Sequence, residues 1–110
     1  MGRLTLRISF TEKEGTAEIT LEGRVAGPWA VELDRFWLAT GPQLATKELS
    51  IDLRNVTYMD AGGKRVLGKI HAQTRASLIA GTPYTQHLAA EVAANSDDRD
   101  KEHGNADTES

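Results

Sequence analysis

LSIDLRNVTYMDAGGKRVL, residues 49 to 67, changes period in its middle. Leu49, Ile51 and Leu53 alternate with Ser50, Asp52 and Arg54, the period-two pattern of a strand, whereas Gly63, Val66, Leu67 and Ile70 recur at helical spacing. The switch falls at Asp60, so a buried strand is expected to feed directly into a helix. A short carboxylate at that junction accepts hydrogen bonds from the first free N–H groups of the helix, and its charge suits the positive end of the helix dipole. Gly62 and Gly63 carry no side chain, which leaves the main chain open to close approach by another surface.

Working outward, Leu4, Leu6, Ile8 and Phe10 alternate with polar residues, Glu12 to Gly15 reads as a turn, and Ala17, Ile19 and Leu21 alternate again. This predicts an N-terminal hairpin. Gly27-Pro28 then opens a helix, proline being suited to the first helical position. Trp29, Leu33, Phe36 and Trp37 give that helix its apolar stripe and place both tryptophans toward the core. Gly41-Pro42 is expected to end it. A strand over 48 to 54, a helix from about 61 to 75 and a short strand from Ser77 to Ala80 follow. Gly81-Thr82-Pro83 starts a last helix that buries Leu88, Ala89, Val92 and Ala93. The order is α/β, with helices packed on a mixed sheet.

Composition excludes several functions. The 110 residues include no cysteine, which removes disulfides, thiolate metal sites and cysteine nucleophiles. Neither a signal peptide nor a membrane span is visible, so the expectation is a cytoplasmic protein without membrane insertion. The net charge of -3 is unevenly placed, because residues 96–110 carry Asp97, Asp98, Asp100, Glu102, Asp107 and Glu109 against Arg99 and Lys101. That segment has no large apolar residue and is expected to be a disordered acidic tail on a single domain spanning residues 1–95. The remaining body is near neutral, which argues against nucleic-acid binding, since that needs a concentrated basic face.

The run IDLRNVTYMDAGG, the earlier LEGRVAG and the order of elements together resemble the STAS domain, shared by sulphate transporters and bacterial anti-sigma factor antagonists. The likeness covers roughly residues 4 to 94. It implies about four strands in a mixed sheet backed by helices, and a non-catalytic protein-protein interaction module rather than an enzyme. It also implies a protein partner, either an anti-sigma factor of kinase type or, alternatively, a membrane transport ATPase to which the chain is an accessory subunit. In the antagonists the aspartate is typically followed by two serines and a glycine, the second serine being phosphorylated to switch binding off. Here Asp60, Ala61, Gly62 and Gly63 occupy those positions, so a phosphate of about two negative charges has no acceptor at Gly62. Two readings stay open: a surface that binds constitutively, or glycines that serve only tight internal packing. On the first, the partner-binding residues are Asp60, Ala61, Gly62, Gly63 and Lys64, with Gly27 in the neighbouring loop.

Other chemistry finds little support. The stretch Gly62-Gly63-Lys64-Arg65 lacks the spacing and the hydroxyl of a phosphate loop, yet a helix N-terminus still attracts anions, which keeps nucleotide or anion binding as a second alternative. His71, His87 and His103 form no metal motif, and His87 with Glu91 reads as a solvent-facing pair. No cofactor is expected. Self-association into a homodimer through the hairpin edge is left open.

Overall fold

The computed structural model describes residues 5–94. The acidic tail lies outside them. Elements run β1 (Leu6–Lys13), β2 (Thr16–Val25), α1 (Pro28–Leu44), β3 (Glu48–Met59), α2 (Ala61–Thr74), β4 (Ser77–Ile79) and α3 (83–94). The strands form one sheet in the order β1-β2-β3-β4. The β1–β2 hairpin is antiparallel, while β2–β3 and β3–β4 are parallel, their crossovers made by α1 and α2. This is the mixed four-stranded α/β arrangement that the alternating elements predict.

One face of the sheet carries the core. Ala17, Ile19 and Leu21 of β2 and Leu49, Ile51 and Leu53 of β3 pack in a single cluster with Leu33, Trp37 and Leu44 of α1, Leu67 and Ile70 of α2, and Leu88 and Val92 of α3. Burial of that apolar surface is the main term holding the helices on the sheet. The opposite face presents Ser9, Thr11, Glu18, Thr20, Ser50 and Asp52, as strict alternation requires. Asp52 is nonetheless buried, its carboxylate held by the Nε and Nη2 groups of Arg54 at 3.0 and 2.9 Å and by the Arg54 backbone N–H at 2.9 Å.

Two boundaries and the placement of one tryptophan differ from the sequence reading. Strand β3 continues to Met59 rather than ending at Arg54, because its register against β2 shifts twice, between Thr20 and Glu22 and again between Gly23 and Arg24. After Leu53 the buried positions are Val56 and Met59, so each shift rephases the strand and hides the alternation. Helix α1 also passes through Gly41-Pro42 and ends at Leu44. Gly41 is buried under the Trp37 indole, where a Cβ would lie 2.7 Å from a ring carbon, so this glycine serves packing rather than termination. Of the tryptophans, Trp37 is core, with Nε1 donating to Gln73 at 2.9 Å, while Trp29 is only half-buried at the start of α1.

Candidate functional site

The parallel strands β2 and β3 end side by side, Val25 opposite Met59, and each turns at once into a helix. Two helix N-termini therefore meet at one end of the sheet. Gly27, at φ +57° and ψ -131°, lies in a region that side-chain-bearing residues rarely adopt, and it turns the chain from β2 into Pro28. Asp60 turns the chain from β3 into α2.

Asp60 stitches these two turns together. Its Oδ1 accepts the Gly63 N–H at 2.8 Å, capping α2, and its Oδ2 accepts the Gly27 N–H at 3.0 Å across 33 residues of sequence. Its own N–H donates to the Val25 carbonyl at 3.2 Å. The Gly27 and Gly63 amides, in that order, hold its carboxyl below the usual carboxylate range by favouring the charged form. The N-capping expected from sequence is thus present, with a second bond to Gly27 that no local pattern reveals.

The two glycines after it differ. At Gly63 a Cβ would sit 2.2 Å from the Val25 carbonyl oxygen and 2.9 Å from Met59 Cγ, so the helix can approach β2 only because that atom is missing. Gly63 is buried. At Gly62 a Cβ would meet only Asp60 Oδ1 at 3.4 Å and Ala30 Cβ at 3.8 Å, which is ordinary contact. Gly62 is half-exposed, and Ala61 and Gly27 are exposed. Internal packing therefore accounts for Gly63 and leaves Gly62 without a structural reason to be glycine.

Lys64 is half-buried, and its ammonium lies 2.9 Å from Glu91 of α3. The Glu91 carboxylate raises the Lys64 pKa, and Lys64 in turn lowers that of Glu91. His87 approaches the same carboxylate at 3.5 Å, the pairing its spacing suggests. Tyr84, also on α3, accepts the Met59 N–H through its hydroxyl at 3.1 Å. Lys64 and Tyr84 thus tie α3 to the junction, contacts that sequence spacing cannot supply because their partners are 27 and 25 residues away.

Around this scaffold the surface is concave on two sides. Between α1 and α2 runs a groove of about 460 Å³ lined by Ala30, Val31, Asp34, Gly62, Val66 and Lys69. Val31 is 54% exposed, and the Lys69 ammonium bonds the Asp34 carboxylate across the groove. On the other side lies a more open hollow of about 440 Å³ between Arg24, Pro28, Trp29 and Tyr58, with the Arg24 guanidinium 4.6 Å above the Tyr58 ring. Gly27 and Asp60 border both. Val31, exposed on α1, marks the groove side of that helix.

The arrangement offers shape, apolar area and one rigid main-chain turn. Among the described residues no group of three or more His, Asp or Glu side chains is placed to hold a metal ion. The N–H of Gly63 is already bonded to Asp60, whose negative charge opposes a bound anion at this helix end. No described helix is long and apolar enough to cross a membrane.

No family model and no curated protein matches the sequence. Among solved structures, an anti-sigma factor antagonist from Mycobacterium paratuberculosis superimposes with a TM-score of 0.64 at 19% identity, covering 78% of this chain and 79% of that one. The chain therefore has the fold of an anti-sigma factor antagonist, the STAS-like arrangement expected from the strand-Asp-Gly junction.

Proposed function

We propose that this protein is a non-catalytic regulatory module that binds another protein through Gly27 and the surface of the α2 start, Asp60, Ala61 and Gly62 with Lys64 beside them and Gly63 as their buried support, and that the binding carries no phosphoserine switch. The observation that carries the reading is the contrast at the two glycines. Gly62 is surface main chain with room for a side chain, held in place from beneath by Asp60 and Gly63. A preorganised turn of this kind can be gripped with little ordering cost. The partner in this reading is an anti-sigma factor of the kinase-like type, by analogy with the solved antagonist whose fold the chain shares.

The test is affinity purification with mass spectrometry, using the native protein and Gly62→Asp. Capture of an anti-sigma factor by the native chain, lost in the variant while cooperative melting is retained, supports the reading. Recovery of a transport ATPase with no signalling protein rejects it, as does equal capture by both forms.

A further inference from the structure

Among the described residues the hairpin's outer strand is an uncovered edge that matches itself, and we propose that two copies of this chain join through β1, antiparallel about Ser9, into one continuous sheet. Strand β1 is outermost in the order β1-β2-β3-β4. All eight of its residues pair with β2 in unbroken register, from Leu6↔Gly23 to Lys13↔Thr16, so no bulge bends the edge away. It contains neither proline nor glycine, and no charge lies between Arg7 and Glu12. Edge strands of monomeric proteins usually carry such devices against pairing.

The hydrogen-bonding direction of each residue follows from the ladder. The Arg24 N–H donates to the Thr5 carbonyl at the open end of the hairpin. By antiparallel alternation, Arg7, Ser9, Thr11 and Lys13 then direct their main-chain groups at β2, whereas Leu6, Ile8, Phe10 and Glu12 direct theirs outward. On the helix side of this edge Leu6 and Ile8 are half-buried and Phe10 is 40% exposed, its ring 5.6 Å from that of Phe36 on α1. Among the described residues the core is thus uncovered along the same line where the backbone is unpaired.

Register selects the second copy as occupant. With Ser9 on the two-fold axis, Leu6 faces Glu12, Ile8 faces Phe10 and Arg7 faces Thr11, so each outward residue pairs with another outward residue. No like charges are opposed. The Ile8–Phe10 pairs are of the aromatic and β-branched type that stabilises adjacent strands. Moving the axis to Phe10 sets Arg7 against Lys13; moving it to Ile8 carries Glu12 past the first residue of the partner's β1.

Because the chain has no cysteine, a single introduced thiol reports the seam directly. Ser9 is exposed on the polar face, so Ser9→Cys leaves the core intact, and in the proposed dimer the two residues form a non-hydrogen-bonded pair with Cα atoms about 4.5 Å apart, within disulfide reach. The expected results are a concentration-dependent dimer of the native chain in sedimentation velocity, rapid oxidative cross-linking of Ser9→Cys, and a dissociation constant raised about tenfold in Ser9→Lys. Thr11→Cys, whose copies would stand about 13 Å apart along the seam, should cross-link far more slowly. A native chain that sediments as a monomer at every concentration overturns the proposal, as does cross-linking of Thr11→Cys at the rate of Ser9→Cys.

Discussion

Substituting alanine at Gly63 and, separately, at Gly62 should move stability in opposite directions although the residues are adjacent. Alanine replacing glycine within a helix gains about 0.5–1 kcal/mol from lower chain entropy. At Gly62 nothing offsets that gain, since the added methyl meets Asp60 Oδ1 at 3.4 Å and Ala30 Cβ at 3.8 Å. At Gly63 the methyl would lie 2.2 Å from the Val25 carbonyl oxygen. Restoring an ordinary C···O contact of about 3.3 Å requires α2 to withdraw by roughly 1 Å. The Val25 carbonyl also receives the Asp60 N–H, so withdrawal strains that bond and the Asp60–Gly27 bond together. Overpacking of about 1–3 kcal/mol plus about 1 kcal/mol for a weakened hydrogen bond, less the entropy gain, leaves a net loss of about 1–3.5 kcal/mol. For a domain of this size that lowers Tm by about 5–25 °C. Urea titration followed by circular dichroism measures both variants. A Gly63→Ala protein as stable as the native one, or a Gly62→Ala protein as weak as Gly63→Ala, would refute the division between a packing glycine and a surface glycine.

Asp60→Ala removes both accepted bonds and should cost about 1–2 kcal/mol by chemical denaturation, with Asp60→Asn retaining part of that. The carboxyls of Asp60 and Asp52 are both held below their ordinary range, Asp60 first by the Gly27 amide and Asp52 first by the Arg54 side chain. Their stabilisation is therefore complete above the unfolded value of about 3.9 and lost as pH falls through the lower folded values, so urea midpoints should drop below about pH 4, less steeply in Asp60→Asn. Gly41→Ala sets a methyl 2.7 Å from the Trp37 ring and should destabilise by about 1–3 kcal/mol, with a shift in Trp37 fluorescence.

The elements nearest the start of the chain show how far local pattern reaches. The β1–β2 hairpin, the start of α1 at Pro28 and the cap at Asp60 follow from alternation, a proline and a carboxylate, each acting within a few residues. Strand β3 was only half legible, because two register shifts against β2 rephase its buried positions after Leu53. Likewise Gly41-Pro42 reads as a helix stop until the Trp37 indole is seen resting where a Cβ would be.

By itself, the sequence determined the α/β order, the abrupt strand-to-helix junction and the absence of a hydroxyl at Gly62, since these depend on residue type and period alone. Only the tertiary structure decided that Gly63 is pressed against Val25 while Gly62 stays at the surface, that Asp60 bonds Gly27 as well as its own helix, and that Lys64 pairs with Glu91. The physical reason is distance along the chain. Propensity and capping act over three or four residues, whereas these contacts join atoms 27 to 38 residues apart and exist only once the parallel strands have set both helix termini at one end of the sheet.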